Sequence, residues 1–255
     1  MENFPAPRVN YLSSVNTSPD NENGVPSSAS RFEIRKKVPK NSIGLRKDME
    51  LVPDIISFEH CSKQIFTLVV PRKCPLCNTA LETCSSFLPF SIPAPFVNAA
   101  QTPCSVVLRP SVGTFLDDYK NEDNLHIAVT DSEGSIVEFD TPGLIRTKAC
   151  NANRKVWSQC LHIVDVPEGW YDEWDRVLDA VIEKRDWSRE LYDDTLFNCF
   201  SFVIEFLQHL RYDEFASYVC DRDTFSEKII VPKTCIIAKY ITVYRRVKEN
   251  GFWAN

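Results

Sequence analysis

Glycine is scarce in this chain, with seven residues in 255, and methionine scarcer still, with two. No Walker loop, no dinucleotide-binding glycine fingerprint and no Gly-x-Ser-x-Gly motif occurs. The function classes that announce themselves by those motifs are therefore set aside. No run of about 18 apolar residues is present, so no transmembrane helix is expected. Positive charge is also short: 29 Lys and Arg stand against 35 Asp and Glu, for a net charge of −6 and a pI near 5.3. That balance argues against nucleic-acid binding by bulk electrostatics. The opening residues, MENFPAPRVN, have no apolar core, so no secretory signal is expected and the expected location is intracellular, in the cytoplasm. Ten cysteines without a framework spacing then read as reduced thiols.

What is present is apolar and aromatic: 44% hydrophobic residues and 11% aromatics, enough for a sizeable core. The chain divides by composition. Residues 1–50 are poor in large apolar side chains and read as a disordered tail. Arg31, Arg35, Lys36, Lys37, Lys40, Arg46 and Lys47 make that tail partly basic. Residues 51–104 read as a strand and CxxC region packed on the core, and residues 105–255 as an α+β domain. The expected fold class is an antiparallel sheet with helices packed on one side, because strands come first and helices later.

Short strands are expected at Ile55–Phe58, Gln64–Val70, Cys104–Leu108 and Trp157–Val164. Leu125–Thr130 and Ser135–Phe139 flank an Asp-Ser-Glu-Gly turn and read as a hairpin. Trp174, Val177, Leu178, Val181 and Ile182 stripe one helix. A second runs from Cys199 through Phe202, Val203, Phe206, Leu207 and Leu210, with Asn198 as its N-cap. Lys228–Val231 reads as a short strand. The last helix stops at Gly251, and its Lys239, Arg245, Arg246 and Lys248 read as a solvated face.

Two groups of residues can carry chemistry. The first is Cys199 with His126. A helix N-terminus and a nearby imidazole are the two common ways to make a thiol nucleophilic. His126 sits on a strand, a rigid mount for a base. Glu138 lies twelve residues on, across the hairpin turn, where it can orient the imidazole. Asp140 is the competing orienter and His162 a competing base. Against catalysis, Cys199 lies on the apolar stripe of its helix, and buried free cysteine often serves as a small hydrophobe. Asp193 and Asp194 just upstream oppose thiolate formation.

The second group is Cys61, Cys74, Cys77 and Cys84, a possible structural zinc site. Cys74-x-x-Cys77 has knuckle spacing, and Cys84 is the expected fourth ligand. His60 and Cys61 are adjacent on an expected strand and should face opposite ways, so His60 is left out.

The Asn198-Cys199-x-x-Phe202-Val203 pattern resembles the Asn-Cys motif of circularly permuted NlpC/P60-type, papain-like proteins. These include the lecithin:retinol acyltransferase-like enzymes and the PPPDE peptidases. Pro110, Gly113, His126 and Glu138 resemble the turn, histidine strand and polar position of the acyltransferase-like branch, which carries a second histidine where Glu138 stands. This resemblance covers residues 105–210. It implies a permuted papain-like core, with Cys199 as nucleophile, His126 as base, and an acyl or protein substrate with an amide, isopeptide or thioester bond. Over residues 55–253, the segments FEHC, CPLC, NLHIAVTDSEG, DWSRELYDDTLFNCFSFV and VPKTCIIAKYITVYRRVKENGF together resemble the makorin-2 opposite-strand protein family. That family implies no activity. A non-catalytic interaction protein on the same fold is the alternative, and no partner is named by the sequence.

Overall fold

Alternating apolar residues build nine strands in two antiparallel sheets in the computed structural model, which describes residues 52–84, 87–152 and 154–255. The expected basic tail lies outside these residues. The larger sheet has the order β7-β6-β5-β4-β8. Its strands are β4 (Ser105–Pro110), β5 (Leu125–Thr130), β6 (Ile136–Asp140), β7 (Gly143–Thr147) and β8 (Leu161–Asp165). The smaller has the order β3-β1-β2-β9, from β1 (Ile55–His60), β2 (Lys63–Thr67), β3 (Phe90–Ile92) and β9 (Trp253–Ala254). The last residues of the chain thus complete the sheet that the first described residues begin.

The β5–β6 hairpin turns as its sequence predicts. Asp131 Oδ1 accepts from the amides of Glu133 and Ser135, at 3.0 and 2.7 Å. Gly134 takes φ +76°, and a Cβ there would lie 2.5 Å from the carbonyl oxygen of Ala100, so only glycine fits.

Among the described residues five α-helices follow or interrupt the strands: α1 (Arg154–Trp157), α2 (Tyr171–Lys184), α3 (Cys199–Leu210), α4 (Arg222–Phe225) and α5 (Val231–Asn250). Leu108, Ile127, Val129, Val137 and Phe139 form one apolar sheet face, buried with Trp174 of α2 and Phe202, Val203 and Phe206 of α3. Trp174 also donates from Nε1 to the carbonyl of Thr130 at 2.9 Å, which locks α2 to β5. The opposite face, including Val107 and Ala128, is covered by Trp157, Ala152 and Cys160.

The fold class is α+β, but with two sheets where one is expected. Three further expectations are corrected. Lys228–Val231 is not a strand: Ser226–Ile230 is a wide helical turn running into α5. Its β-branched run suggests a strand, but Asp221 caps the helical segment upstream, accepting from Thr224 N at 2.8 Å, and the chain continues as helix. The strand expected from Trp157 begins only at Leu161, because Trp157 closes α1. Arg245 is not solvated. Its guanidinium holds the carbonyls of Phe115, Leu116 and Tyr119 at 2.7–3.1 Å, tying α5 to the loop after β4. No helix among the described residues is long and apolar enough to cross a membrane.

Candidate active site

Residue by residue, the sheet sets up a polar cluster at one of its ends. Arg109 on β4 is paired directly with His126 on β5, so the two share a face. Glu138 on β6 reaches the same place, its Oε2 lying 2.7 Å from His126 Nε2 and 3.7 Å from Arg109 Nη2. Trp157 roofs the cluster: the Arg109 guanidinium stacks over its ring at 4.6 Å, and the His126 ring lies 6.2 Å away. His126 and Glu138 are both buried, at 4% and 8% exposure, so the ion pair is shielded from solvent competition.

Cys199 arrives from the other side on the first turn of α3. Asn198 caps that helix with a reciprocal box. Its side chain accepts from Phe200 N at 3.0 Å, while Ser201 Oγ accepts from Asn198 N at 3.2 Å. Asn198 Nδ2 also donates to the Asp194 carbonyl at 2.6 Å. Upstream, Asp193 Oδ1 accepts from the amides of Thr195 and Leu196, so this carboxylate is absorbed in its own turn. An aromatic cluster fixes the approach: Trp187 stacks on Phe197 at 5.1 Å and meets Phe202 edge-on at 5.0 Å, and Phe139 packs on Tyr192 at 5.2 Å.

These pieces meet at a cleft of about 440 Å³, lined by His126, Cys199, Asn198, Tyr192, Asp140 and Asp194, among others. Burial alone would push the His126 imidazole down. Hydrogen bonding to Cys199 and to Glu138, with the charge of Cys199, outweighs it and raises the group from 6.5 to about 9. With Nε2 committed to Glu138, Nδ1 is the nitrogen left for Cys199. Burial raises the Tyr192 phenol, aided by Cys199, Asp140 and a hydrogen bond to Asp194, so this hydroxyl keeps its proton in the cleft wall.

The residues singled out in the sequence are thus sorted. Cys199, His126 and Glu138 come together. Asp140 lines the same cleft, within 4.8 Å of the His126 and Glu138 ligand atoms, but Glu138 makes the short bond. His162 does not line the cleft; it lies 3.6 Å from Asp165. Arg109 and Tyr192 were not foreseen. Arg109 is the residue paired with His126 across the sheet, a relation that no local motif encodes.

The cysteine cluster differs from expectation in one member. His60, Cys61, Cys74 and Cys77 place their ligand atoms within 4.8 Å of one another, and Cys84 is not in that group. The opposite-face rule fails for His60 and Cys61 because β1 ends at His60. Cys61 and Ser62 form a tight turn with φ of 55° and 56°, which swings the Cys61 thiol back toward the imidazole.

The chain matches the family described as DUF4796 C-terminal over residues 89–247 and that described as DUF4796 N-terminal over residues 53–81. It is 32% identical over 203 residues to the MKRN2 opposite strand protein of Homo sapiens, covering 78% of this chain and 88% of that protein. No solved structure matches the chain significantly. Matched through its N-terminal hairpin and across the whole cleft-bearing region, the chain belongs to the DUF4796 family, together with the MKRN2 opposite strand protein.

Proposed function

We propose that this protein is a thiol-dependent hydrolase or acyl-transfer enzyme acting on amide, isopeptide or thioester bonds. The observation that carries the reading is the 2.7 Å His126–Glu138 pair, whose histidine lines one cleft with Cys199 at the capped start of α3. In this reading His126, whose value of about 9 keeps it protonated near neutral pH, holds the proton of the Cys199–His126 pair while the sulfur attacks the substrate carbonyl carbon. The tetrahedral oxyanion then collapses. The leaving amine or thiol departs with the proton from His126, and an acyl-Cys199 thioester remains. Water, deprotonated by His126, hydrolyses it to a carboxylate and free Cys199. Glu138 holds the imidazole in orientation, and the Cys199 amide, which the Asn198 cap does not take, is the donor offered to an oxyanion. A permuted papain-like arrangement, histidine strand before cysteine helix, accords with this order.

A second reading is a binding protein that keeps the fold without turnover. It is favoured by the 5% exposure of Cys199 and by Asp194 in the cleft wall. A cysteine-directed acyl probe separates the two. The enzyme reading expects labelling at Cys199 of the native protein and its loss in His126→Ala. Labelling that is absent from the native protein, or unaffected by His126→Ala, favours the binding reading.

A further inference from the structure

The four-residue group at the edge of the smaller sheet lies apart from the cleft and is not used by the chemistry above. We propose that His60, Cys61, Cys74 and Cys77 bind a structural zinc ion, with His60 and not Cys84 as the fourth ligand. The geometry is close to what the ion requires. Zinc bonds of about 2.3 Å to sulfur and about 2.0 Å to nitrogen, set tetrahedrally, put ligand atoms roughly 3.5–3.8 Å apart. Here Cys61 Sγ and Cys74 Sγ are 4.0 Å apart, Cys77 Sγ and His60 Nδ1 are 3.6 Å apart, and His60 Nδ1 and Cys61 Sγ are 3.1 Å apart. Two turns from separate parts of the chain bring all four within 4.8 Å of one another.

Each turn is shaped for the ion. Cys74-Pro-Leu-Cys77 folds so that Leu76 N points at Cys74 Sγ, 3.4 Å away, as amides do toward a metal-bound thiolate. Asn78 closes the turn with φ 61° and donates from its amide to the Cys74 carbonyl at 2.9 Å. Opposite it, the β1–β2 hairpin adopts positive φ at Cys61 and Ser62, without a glycine at either position. Such backbone is unfavourable for these residues unless something holds it. Three thiolates and a neutral imidazole leave the loaded site with a single negative charge, beside Arg72 and Lys73 in the chain. Soft sulfur donors in a tetrahedral set select zinc over magnesium or calcium. The smaller sheet is one place for a staple: among the described residues, its separate buried cluster is Phe58, Ile65, Cys74 and Leu81. Zinc would bind as the three thiols lose their protons, tying the 74–77 turn to the hairpin that carries β9.

The test uses the full chain purified with reductant from cells grown with zinc. About one zinc ion per chain is expected by elemental analysis, set against total protein. Cys61 and Cys77 are exposed, as are Cys150, Cys220 and Cys235. A thiol alkylator should therefore label Cys150, Cys220 and Cys235 quickly and spare Cys61 and Cys77 until a chelator is added. Cys84→Ser should keep its zinc, whereas His60→Ala should release it at a chelator concentration at least about tenfold lower. Zinc below about a tenth of an ion per chain overturns the proposal. So does protection of Cys61 and Cys77 that reductant lifts and chelator does not, which would mark a disulfide. Zinc lost in Cys84→Ser but retained in His60→Ala overturns the ligand set. Metal content and alkylation are read on the unmutated chain, so a misfolded variant leaves the proposal testable.

Discussion

His126 carries two interactions that pull in the same direction. Glu138 accepts from Nε2 at 2.7 Å, and Glu138 and Cys199 together raise the group against a desolvation that alone would lower it. Glu138→Gln keeps the shape of the acceptor and removes its charge. The His126 titration, followed by NMR of the ring protons, should then move down from about 9 toward the ordinary histidine range. An unmoved titration would mean that Glu138 does not set the state of the base. Arg109 works on the other side of the balance, since its positive charge lowers the same group. Its guanidinium is placed by stacking on Trp157 and by the Pro110 carbonyl at 2.9 Å, so it is a fixed charge in the site.

The start of α3 is where local sequence decides most. The Asn198 side chain supplies one half of the cap around Cys199 and Ser201 the other, and Asn198→Ala should lower unfolding free energy by about 1 kcal/mol in denaturant titration. Asn198→Ser should recover most of that loss; equal losses would mean that the cap is not what holds this turn. Gly134→Ala, with its positive φ and the Ala100 carbonyl in the way, should cost more than about 1 kcal/mol in the same measurement. These features were legible in the sequence because each is local: an Asn before an apolar helical stripe, a DSEG turn between alternating runs, and twelve residues of hairpin between His126 and Glu138. What was not legible depends on distant pairing or on unusual backbone. β9 is two residues long and exists only because β2 is there to receive it. Strand alternation excludes His60 only if β1 continues past it, and the positive φ at Cys61 and Ser62, with no glycine there, leaves no local sign that it does not. Tyr192 reaches the cleft, and Arg109 the His126–Glu138 pair behind it, through the fold and not through any spacing.

At the scale of the whole molecule, the buried titratable groups predict how stability follows pH. His126 has a folded value of about 9 against an ordinary 6.5, so the folded state holds its proton more tightly than the unfolded chain. Its contribution is complete below about pH 6.5 and is lost as pH rises to about 9. Cys104 and Cys160 are pushed by burial from 9.0 to about 12, so they oppose folding only above pH 9. Denaturant unfolding of the wild type should therefore weaken between pH 6.5 and 9, and His126→Gln should flatten that window while leaving the decline above it.

The central claim is that the buried His126–Glu138 pair makes Cys199 reactive. The most direct measurement is the rate of alkylation at Cys199, resolved by peptide mass spectrometry in the native protein at pH 7, with and without His126→Gln. A Cys199 that reacts in the folded state, and slows by at least roughly tenfold when His126 is replaced, is the predicted result. A Cys199 that reacts only on unfolding, or at the same rate in both proteins, contradicts it.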